Sequence, residues 1–367
     1  MKKVLSFLLA SLVLLTASAG NVVTLVDDSD GSPVTGAAVV SSRGVILGVT
    51  DAQGHIVVSE KDFPLSLRSL GYEPLTVEMP ADTVAMSPAT YALGEVIVTP
   101  VDRPVTRVLT YAREYCTGIV KGDTLQVFNE YMLEFFLADE KLKGYDSYDA
   151  SSSINRVRRY GRIANEDGQD VVLRPDSHDA LSSLSFKGLL ARIPSFPVKV
   201  SGRIKEGAAC DTVAGKHFPK YVFRNFNDMF IVEHDQLADK KKHVWSPMFF
   251  KMLGCTMEIS DYVESHAFHR NDSSTYGLKD YIFTTSTLHV LVKGKWMKKI
   301  MDTDRPYEVD CYLEQYPVEI THLTVDEYKE MKKNRIRHEP FRMPDIVQPL
   351  PAAVERLVER VEEEERR

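Results

Sequence analysis

The stretch VTDAQGHIVV, residues 49 to 58, decides how the first part of the chain folds. A polar turn from Asp51 to Gly54 separates two short apolar runs. We expect Gly54 to adopt a positive φ, and we expect the Asp51 carboxylate to accept backbone N–H groups across the turn. The pattern therefore predicts two strands joined by a tight turn. A second turn is predicted at Gly71. The predicted residues of the two turns are Thr50, Asp51, Gly54, Gly71 and Tyr72.

Similar short runs, rich in β-branched residues and separated by turn residues, occur on both sides of this stretch. The predicted strands are Val22 to Val26, Ala37 to Ser41, Val45 to Val49, His55 to Val58, Leu65 to Leu67, Leu75 to Val77 and Val96 to Val98. Seven strands in roughly 80 residues predict a β-sandwich over residues 20 to 100.

The first 19 residues have the pattern of a signal peptide. Two lysines precede an apolar run from Val4 to Leu15, and small residues follow it. The predicted cleavage site comprises Ala17, Ala19 and Gly20. A membrane anchor is the alternative, but the run is shorter than the roughly 20 residues that span a bilayer. We therefore expect an exported protein that does not span the membrane after signal removal. Its expected location is the periplasm, the outer-membrane region or the cell surface.

Four motifs in the first module carry a family resemblance: SPVTGAAVV (32 to 40), GVTDAQGHIVV (48 to 58), LRSLGYEPLTVEM (67 to 79) and LGEVIVTP (93 to 100). The motifs occur in the order seen in the carboxypeptidase regulatory-like domain. Residues 21 to 99 therefore resemble this domain, in the form found on envelope proteins of Bacteroidota. The resemblance implies a transthyretin-like β-sandwich that has no active site and serves as a spacer, folding aid or interaction platform.

The charge distribution argues against nucleic-acid binding. The chain has a formal net charge of −7. Residues 20 to 100 contain ten acidic and three basic side chains, whereas residues 101 to 338 are close to neutral. Nucleic-acid binding requires a basic field that neither region provides. We therefore expect no nucleic-acid partner.

After Pro100 the pattern predicts a second, larger domain over residues 101 to 338. Apolar residues at helical spacing predict a leading helix that begins near Asp102 and ends near Ile119. The remaining segments alternate or run apolar, which predicts a large antiparallel sheet or open barrel of about eight to ten strands. The fold class is therefore mainly β, and a layout of this kind is one way to form a lipid-holding half-barrel.

Three shorter helices are also predicted. A capping box at Thr324 to Glu327 predicts a helix through Lys333. A helix near Phe186 is expected at the edge of the core or as a lid. Residues 339 to 367 combine a Pro-rich hinge with an amphipathic, charged helix whose apolar face predicts docking on the body or on a partner.

The four cysteines, Cys116, Cys210, Cys255 and Cys311, all follow residue 100. An exported compartment permits disulfides, so we expect one or two of them in the second domain, with buried free thiols as the alternative. The spacings do not fit a zinc site.

No sequence motif indicates catalysis, a cofactor or a metal. None of the ten histidines has Glu three residues later, and no nucleophile elbow or phosphate loop is present. His266 and His269 would lie on opposite faces of a strand, so we interpret them as surface histidines rather than metal ligands. Hydrolase activity remains a remote alternative, because the sequence does not place catalytic carboxylates.

A polar segment, residues 144 to 170, contains a local basic cluster, which could contact an anionic partner or pair with nearby acids. The cluster comprises Arg156, Arg158, Arg159 and Arg162.

Two functional hypotheses follow. The first is a non-enzymatic envelope protein that binds or scaffolds a protein or glycan partner. The second is a carrier or sensor that holds an apolar ligand, a lipid or a lipoprotein, in the second domain.

Overall fold

The computed structural model divides the chain into two compact units, which we describe separately. The first contains the residues up to 43 and residues 47–88, and the second contains residues 44–46 and 89–367. The structure describes residues 20–89, 103–120, 123–138, 148–151, 158–164, 170–173, 185–190, 199–201, 210–226, 228–240, 255–271, 275–294, 306–333 and 341–366. The predicted signal peptide therefore lies outside the described residues.

In its described part, residues 20–88, the first unit contains seven strands in two sheets, as the mainly β prediction requires. The strands are β1 (Asn21–Asp27), β2 (Ala38–Val40), β3 (Ile46–Val49), β4 (His55–Val58), β5 (Leu65–Arg68), β6 (Leu75–Val77) and β7 (Thr83–Met86). One sheet has the order β4-β1-β7 and the other the order β3-β2-β5-β6. Strand β7 was not predicted, and the predicted strand at Val96 to Val98 lies outside the described residues.

Local hydrogen bonds stabilise the turn from Asp51 to Gly54. The Asp51 carboxylate accepts from the backbone N–H groups of Gln53 (2.9 Å) and His55 (2.8 Å). Gly54 has a φ of +76°, and a Cβ there would lie 2.4 Å from the Leu25 carbonyl oxygen. Only glycine fits this position without strain.

Two other turn residues have buried polar contacts. The Thr50 hydroxyl accepts from the Ala37 N–H (2.9 Å) and donates to the Val34 carbonyl (2.6 Å). Next to Gly71, which has a φ of +88°, the buried Tyr72 hydroxyl donates to the Asp27 carboxylate at 2.9 Å. These contacts connect the turns to neighbouring strands.

The second unit is built on one large antiparallel sheet. Its strands are β8 (Val105–Val120), β9 (Asp123–Ala138), β10 (Tyr148–Ser151), β11 (Arg158–Ala164), β12 (Asp170–Leu173), β14 (Cys210–Ala214), β15 (Pro219–Phe226), β16 (Met229–Asp235), β17 (Cys255–His269), β19 (Tyr281–Gly294) and β20 (Tyr307–Leu323). The order is β12-β11-β9-β8-β20-β19-β17-β16-β15-β14, and β10 also pairs with β9. Strands β13 (Lys199–Ser201) and β18 (Thr275–Gly277) form a separate pair.

The predicted leading helix is wrong: residues Val105–Val120 form strand β8. This strand lies at the centre of the sheet, between β9 and β20, and nearly every described side chain along it is buried on one face or the other. A strand buried on both faces lacks the alternating pattern, so its apolar residues can match helical spacing by chance.

The described helices are short. They are α1 (Phe186–Leu190), α2 (Val325–Lys333) and α3 (Ala352–Glu365), with 3-10 turns at Glu60–Asp62 and Leu278–Asp280. The capping box is present, since the Thr324 N–H donates to Glu327 (2.7 Å) and the Glu327 N–H donates to the Thr324 hydroxyl (3.2 Å). None of the described helices combines the length and apolar character needed to cross a bilayer.

Helices α1 and α3 both have apolar residues buried within the second unit. In α1, Phe186, Leu189 and Leu190 are buried within the main hydrophobic cluster of this unit, so they belong to the core rather than to an exposed surface. In α3, Val354 and Leu357 are buried, which agrees with the docking predicted for the tail.

Candidate functional site

The large sheet has two faces with different chemistry. Because side chains alternate along a strand, the even-numbered residues of β8, such as Ala112 and Cys116, point to one face and the odd-numbered ones to the other. The first carries the main hydrophobic cluster, and we call it the core face. The second contacts residues of the C-terminal segment 341–350, and we call it the tail face.

Nine polar side chains cross six adjacent strands on the core face. We call this set the polar belt: Thr110, Glu114, Asn129, His234, Glu264, His266, Thr284, Ser286 and Gln315. Eight of the nine are buried, and His234 is partly exposed.

Strand register places these residues in rows. Glu264 lies opposite Ser286, and Glu114 lies opposite Asn129, with Leu313 of β20 between the two pairs. The neighbouring row runs from His266 through Thr284 and Gln315 to Ala112. At the outer end, His234 lies opposite Glu264. The belt is therefore a product of pairing between distant segments.

Apolar rows flank the belt on both sides. The row on one side contains Tyr262, Leu288, Cys311, Cys116 and Val127, which are all buried. On the other side, Phe230 stacks on Tyr276 with ring centroids 4.1 Å apart, and Phe268 packs against both Tyr276 and Tyr281. The core face thus has a polar middle and apolar ends.

His266 is held neutral at the centre of the belt. Its Nδ1 lies 2.7 Å from the Thr284 hydroxyl, to which Tyr281 also donates. Its Nε2 lies 3.9 Å from a Glu264 carboxylate oxygen. Burial, reinforced by nearby His234, lowers the pKa of His266 to about 3, so the imidazole is uncharged at neutral pH.

The two carboxyl groups of the belt both accept hydrogen bonds. Glu264 accepts from the Tyr262 hydroxyl. Glu114 accepts from the Asn129 amide (2.9 Å) and from the backbone N–H of Phe186 at the start of α1 (3.0 Å). Helix α1 therefore contacts the belt through a backbone donor.

The buried oxygens of the belt that have no hydrogen-bond partner among the described residues include Oγ1 of Thr110, Oδ1 of Asn129 and Oγ of Ser286. Leaving such an atom unpaired costs about 1 to 3 kcal/mol. A hydrogen-bond donor from water or from a ligand would remove this cost.

The tail face carries a network of buried ion pairs. Arg113 donates to Glu314 at 2.6 Å and to the Gln348 carbonyl at 2.5 Å. Arg107 contacts Glu134 at 2.5 Å and Glu319 at 3.2 Å. Both of these arginines thus have acidic partners.

The structure joins Cys116 to Cys311 by a disulfide between neighbouring strands, β8 and β20. Cys210 is exposed and free. Cys255 lies at the start of β17, with its side chain outside the described set. One of the expected disulfides is therefore present, and its position is the centre of the sheet.

Asp261, on the tail face, is expected to make the stability of the fold depend on pH. Burial, with a contribution from Asp235, raises its pKa to about 6, although His289 opposes the shift. A raised folded-state pKa stabilises the fold at low pH, and this stability is lost as pH rises from about 4 through about 6. We expect Asp261→Asn to match the wild type near pH 4 and to be more stable by up to about 3 kcal/mol at pH 7.

Urea unfolding followed by tryptophan fluorescence measures this difference, because Trp245 and Trp296 both belong to the second unit. Asp345→Asn, at an exposed position, is the matched control. A stability difference between Asp261→Asn and wild type that stays constant from pH 4 to pH 7 would contradict the prediction.

The basic cluster predicted from sequence is only partly described. The backbone of Arg158, Arg159 and Arg162 forms part of β11 rather than a loop, and Arg156 lies outside the described residues. The anionic contact therefore remains a prediction. His266, interpreted from sequence as a surface residue, is buried instead, because β16 and β19 flank its strand and the core cluster covers its face.

Comparison with known proteins identifies no family. No family model matches the sequence, and no curated protein matches it. Among solved structures, the chain is similar to lipovitellin, solved for its lipid–protein interactions, at 7% identity and a TM-score of 0.30 over 60% of this chain and 26% of that one. The chain thus spans about a quarter of that length. A domain assigned to outer membrane lipoprotein sorting in Vibrio parahaemolyticus matches at 8% identity and a TM-score of 0.13, over 63% of this chain and 90% of that one. At these scores, inference about function depends on the geometry of the chain itself.

Proposed function

We propose that the protein is an exported, non-enzymatic binding protein of the cell envelope, whose second unit holds a ligand with an apolar body against the core face of the large sheet. One observation carries the proposal: three buried belt oxygens without described partners lie in the middle of an apolar face. A ligand with an apolar body and a polar head would complement both parts of this face.

The energetic argument concerns the belt oxygens. Natural proteins pair nearly all buried polar atoms, with protein groups, ordered water or ligand. Thr110 and Ser286 are each 1% exposed or less, so bulk water does not hydrate their hydroxyls. Water or the polar part of a ligand would satisfy them, while the flanking apolar rows would contact the apolar part.

The outer end of the belt offers a route for entry. His234 and Tyr221 are both partly exposed, and their rings stack with centroids 4.3 Å apart. The belt therefore reaches the solvent at β15 and β16. A ligand entering here meets aromatic surface first and the polar residues next.

The first unit supports a second role, that of a scaffold for a protein partner. Val22 and Val57 lie directly opposite each other on β1 and β4, and they are 51% and 65% exposed. Because β4 is an edge strand of its sheet, an exposed apolar pair that includes Val57 suits protein contact. The resemblance to carboxypeptidase regulatory-like domains is consistent with such a platform.

Native mass spectrometry of the mature protein, purified gently from its own cell envelope, tests the proposal. We expect a polypeptide that begins at Gly20 and carries a stoichiometric extra mass of lipid size, which is lost on denaturation. A bare polypeptide mass would exclude a tightly held ligand. A polypeptide that retains residues 1 to 19 would contradict signal removal.

A pair of variants on one strand links the extra mass to the core face. Leu288→Gln places a polar group in the apolar row, and we expect the ligand-bound fraction to fall. Leu291→Gln, the control, changes the tail face of β19 and should retain the ligand. Circular dichroism establishes that both variants are folded, and equal ligand-bound fractions would exclude the core face as the site.

A further inference from the structure

We infer that one corner of the large sheet docks on a bilayer surface with anionic head groups. The corner comprises residues 215–220, at the turn from β14 into β15, and residues 236–240, which follow β16. We call it the basic corner. The inference adds an interaction surface to the proposed function and does not depend on a bound ligand.

Hydrogen bonds hold the two segments of the basic corner together. The backbone N–H groups of His217 and Phe218 both donate to the Ala238 carbonyl, at 3.0 Å and 3.3 Å. The backbone N–H of Lys216 donates to the Asp239 carboxylate at 3.1 Å. The charged side chains of the corner therefore extend from a fixed backbone.

The basic corner has an excess of positive charge. It contains three lysines, Lys216, Lys220 and Lys240, and one acidic residue, Asp239, which gives a formal charge of +2. Lys216 and Lys240 are exposed, and Lys220 forms an ion pair with Asp239 at 2.7 Å. In the sequence, residues 241 to 254 follow directly and contain three lysines but no acidic residue. The charge of the corner thus complements an anionic surface.

Two acidic residues on the flanking strands, Asp211 and Asp235, limit the strength of this attraction. The Asp235 carboxylate accepts from the Leu237 N–H at 2.7 Å, and its residue lies opposite Val263 on the tail face. Asp211 lies on β14, five residues before Lys216. Both acids are partly exposed. We therefore expect docking of moderate strength that salt screens readily.

Exposed apolar and aromatic surface lies beside the lysines. Strand register continues the belt row outward from His234 to Tyr221 and then to Val213. Val213 is 45% exposed, Tyr221 is partly exposed, and Lys220 directly precedes Tyr221. Lysine with tyrosine and aliphatic side chains is typical of surfaces at the membrane–water interface, where the rings lie among the head groups. This combination favours a bilayer over a soluble polyanion, which offers nothing to the apolar side chains.

Docking through the basic corner would place the outer end of the polar belt against the bilayer. A ligand with an apolar body could then pass between the bilayer and the core face with little exposure to water. Such transfer avoids the cost of hydrating the apolar body.

Co-sedimentation of the mature protein with lipid vesicles tests the inference. One set of vesicles contains phosphatidylglycerol and phosphatidylcholine in equal amounts, and the other contains phosphatidylcholine alone. We expect binding to the anionic vesicles at about 50 mM NaCl and loss of that binding at about 300 mM NaCl. We expect binding to the neutral vesicles to be at least about tenfold weaker.

Two double variants locate the docking surface. A lysine near an anionic membrane strengthens binding by about fivefold, so Lys216→Gln with Lys240→Gln should bind roughly 20- to 30-fold more weakly. Lys329→Gln with Lys333→Gln is the matched control, because it changes the net charge equally at exposed positions of α2. The control should bind as the wild type does.

Asp239→Asn supplies a test in the opposite direction. The substitution removes the acidic residue of the basic corner, whereas the Asn carbonyl can still accept from the Lys216 N–H. We expect about fivefold tighter binding to anionic vesicles. A purely structural role for Asp239 would not produce tighter binding.

The outcomes separate the inference from the proposed function. Equal binding to both kinds of vesicle, or equal losses in the two double variants, would overturn the inference. Binding of dextran sulfate that requires Lys216 and Lys240, without binding to vesicles, would identify an acidic glycan as the partner and would also overturn it. Lysine-dependent vesicle binding by a protein that carries no extra mass would support the basic corner and reject the tightly held ligand.

Discussion

Replacing Arg113 with Met is expected to lower the free energy of unfolding of the second unit by about 3 to 5 kcal/mol. Arg113 is 3% exposed and its partner Glu314 is 1% exposed. The substitution leaves the Glu314 carboxylate buried without its cation, and it also removes the donor to the Gln348 carbonyl of the C-terminal segment. The Tyr316 hydroxyl, 3.1 Å from Glu314, remains as a weaker donor. Urea unfolding measured by tryptophan fluorescence gives the value.

Two controls show whether the loss comes from burial of an unpaired charge. Adding Glu314→Leu to Arg113→Met removes that charge and should recover most of the lost stability. Arg103→Met breaks a pair in which both side chains are about 40% exposed, so the loss should stay below about 1 kcal/mol. A double variant less stable than the single one would contradict the explanation.

Removing the disulfide is expected to lower the free energy of unfolding by up to about 5 kcal/mol. The bond joins residues 195 positions apart, and in the chain-entropy model closing a loop of this length restricts the unfolded chain by about that amount. The variant is Cys116→Ala with Cys311→Ala, both of which are buried next to the polar belt. Part of the loss will come from packing, because each substitution also removes a buried sulfur.

Reducing agent separates these two contributions. Reduced wild type keeps both sulfur atoms but loses the crosslink, so its stability should lie between that of the oxidised protein and that of the double variant. Cys210→Ala changes an exposed free thiol and should unfold as the wild type does. An unchanged unfolding midpoint for the reduced wild type would show that the crosslink contributes nothing.

Local patterns predicted much of the fold. The first unit could be predicted because its strands are short and its turns contain residues with specific backbone requirements, such as Gly54. Strand β8 could not be predicted in this way. Its sequence, VTRVLTYAREYCTGIV, is buried on both faces, and its charged residues are stabilised by partners on other strands, such as Glu314 for Arg113. Such partners are not visible from the segment alone.

The polar belt was not predictable for a related reason. Each member is an ordinary residue within its own strand, and no two of them form a motif of known chemistry. Glu114, Ser286 and Asn129 come to lie in one row only through the register of four strands. One local signal does exist: adjacent Arg113 and Glu114, in a strand rich in apolar residues, indicate charges buried on opposite faces.

The pairing of β8 with β20 also bears on how the chain reaches its native state. These strands pair from Val105 to Ile119, yet some 190 residues separate them in the sequence. As the chain is synthesised from its N-terminus, β8 can form a hairpin with β9 early, while its other edge stays unpaired until β20 has been made. An open apolar edge is prone to aggregation, and pairings between distant segments form slowly. Cys116 must also remain unpaired until Cys311 has been made, although Cys210 and Cys255 come earlier in the chain and could pair with it. The folding of this unit therefore depends on its last strand, and a chain truncated before Tyr307 would expose the centre of its own sheet.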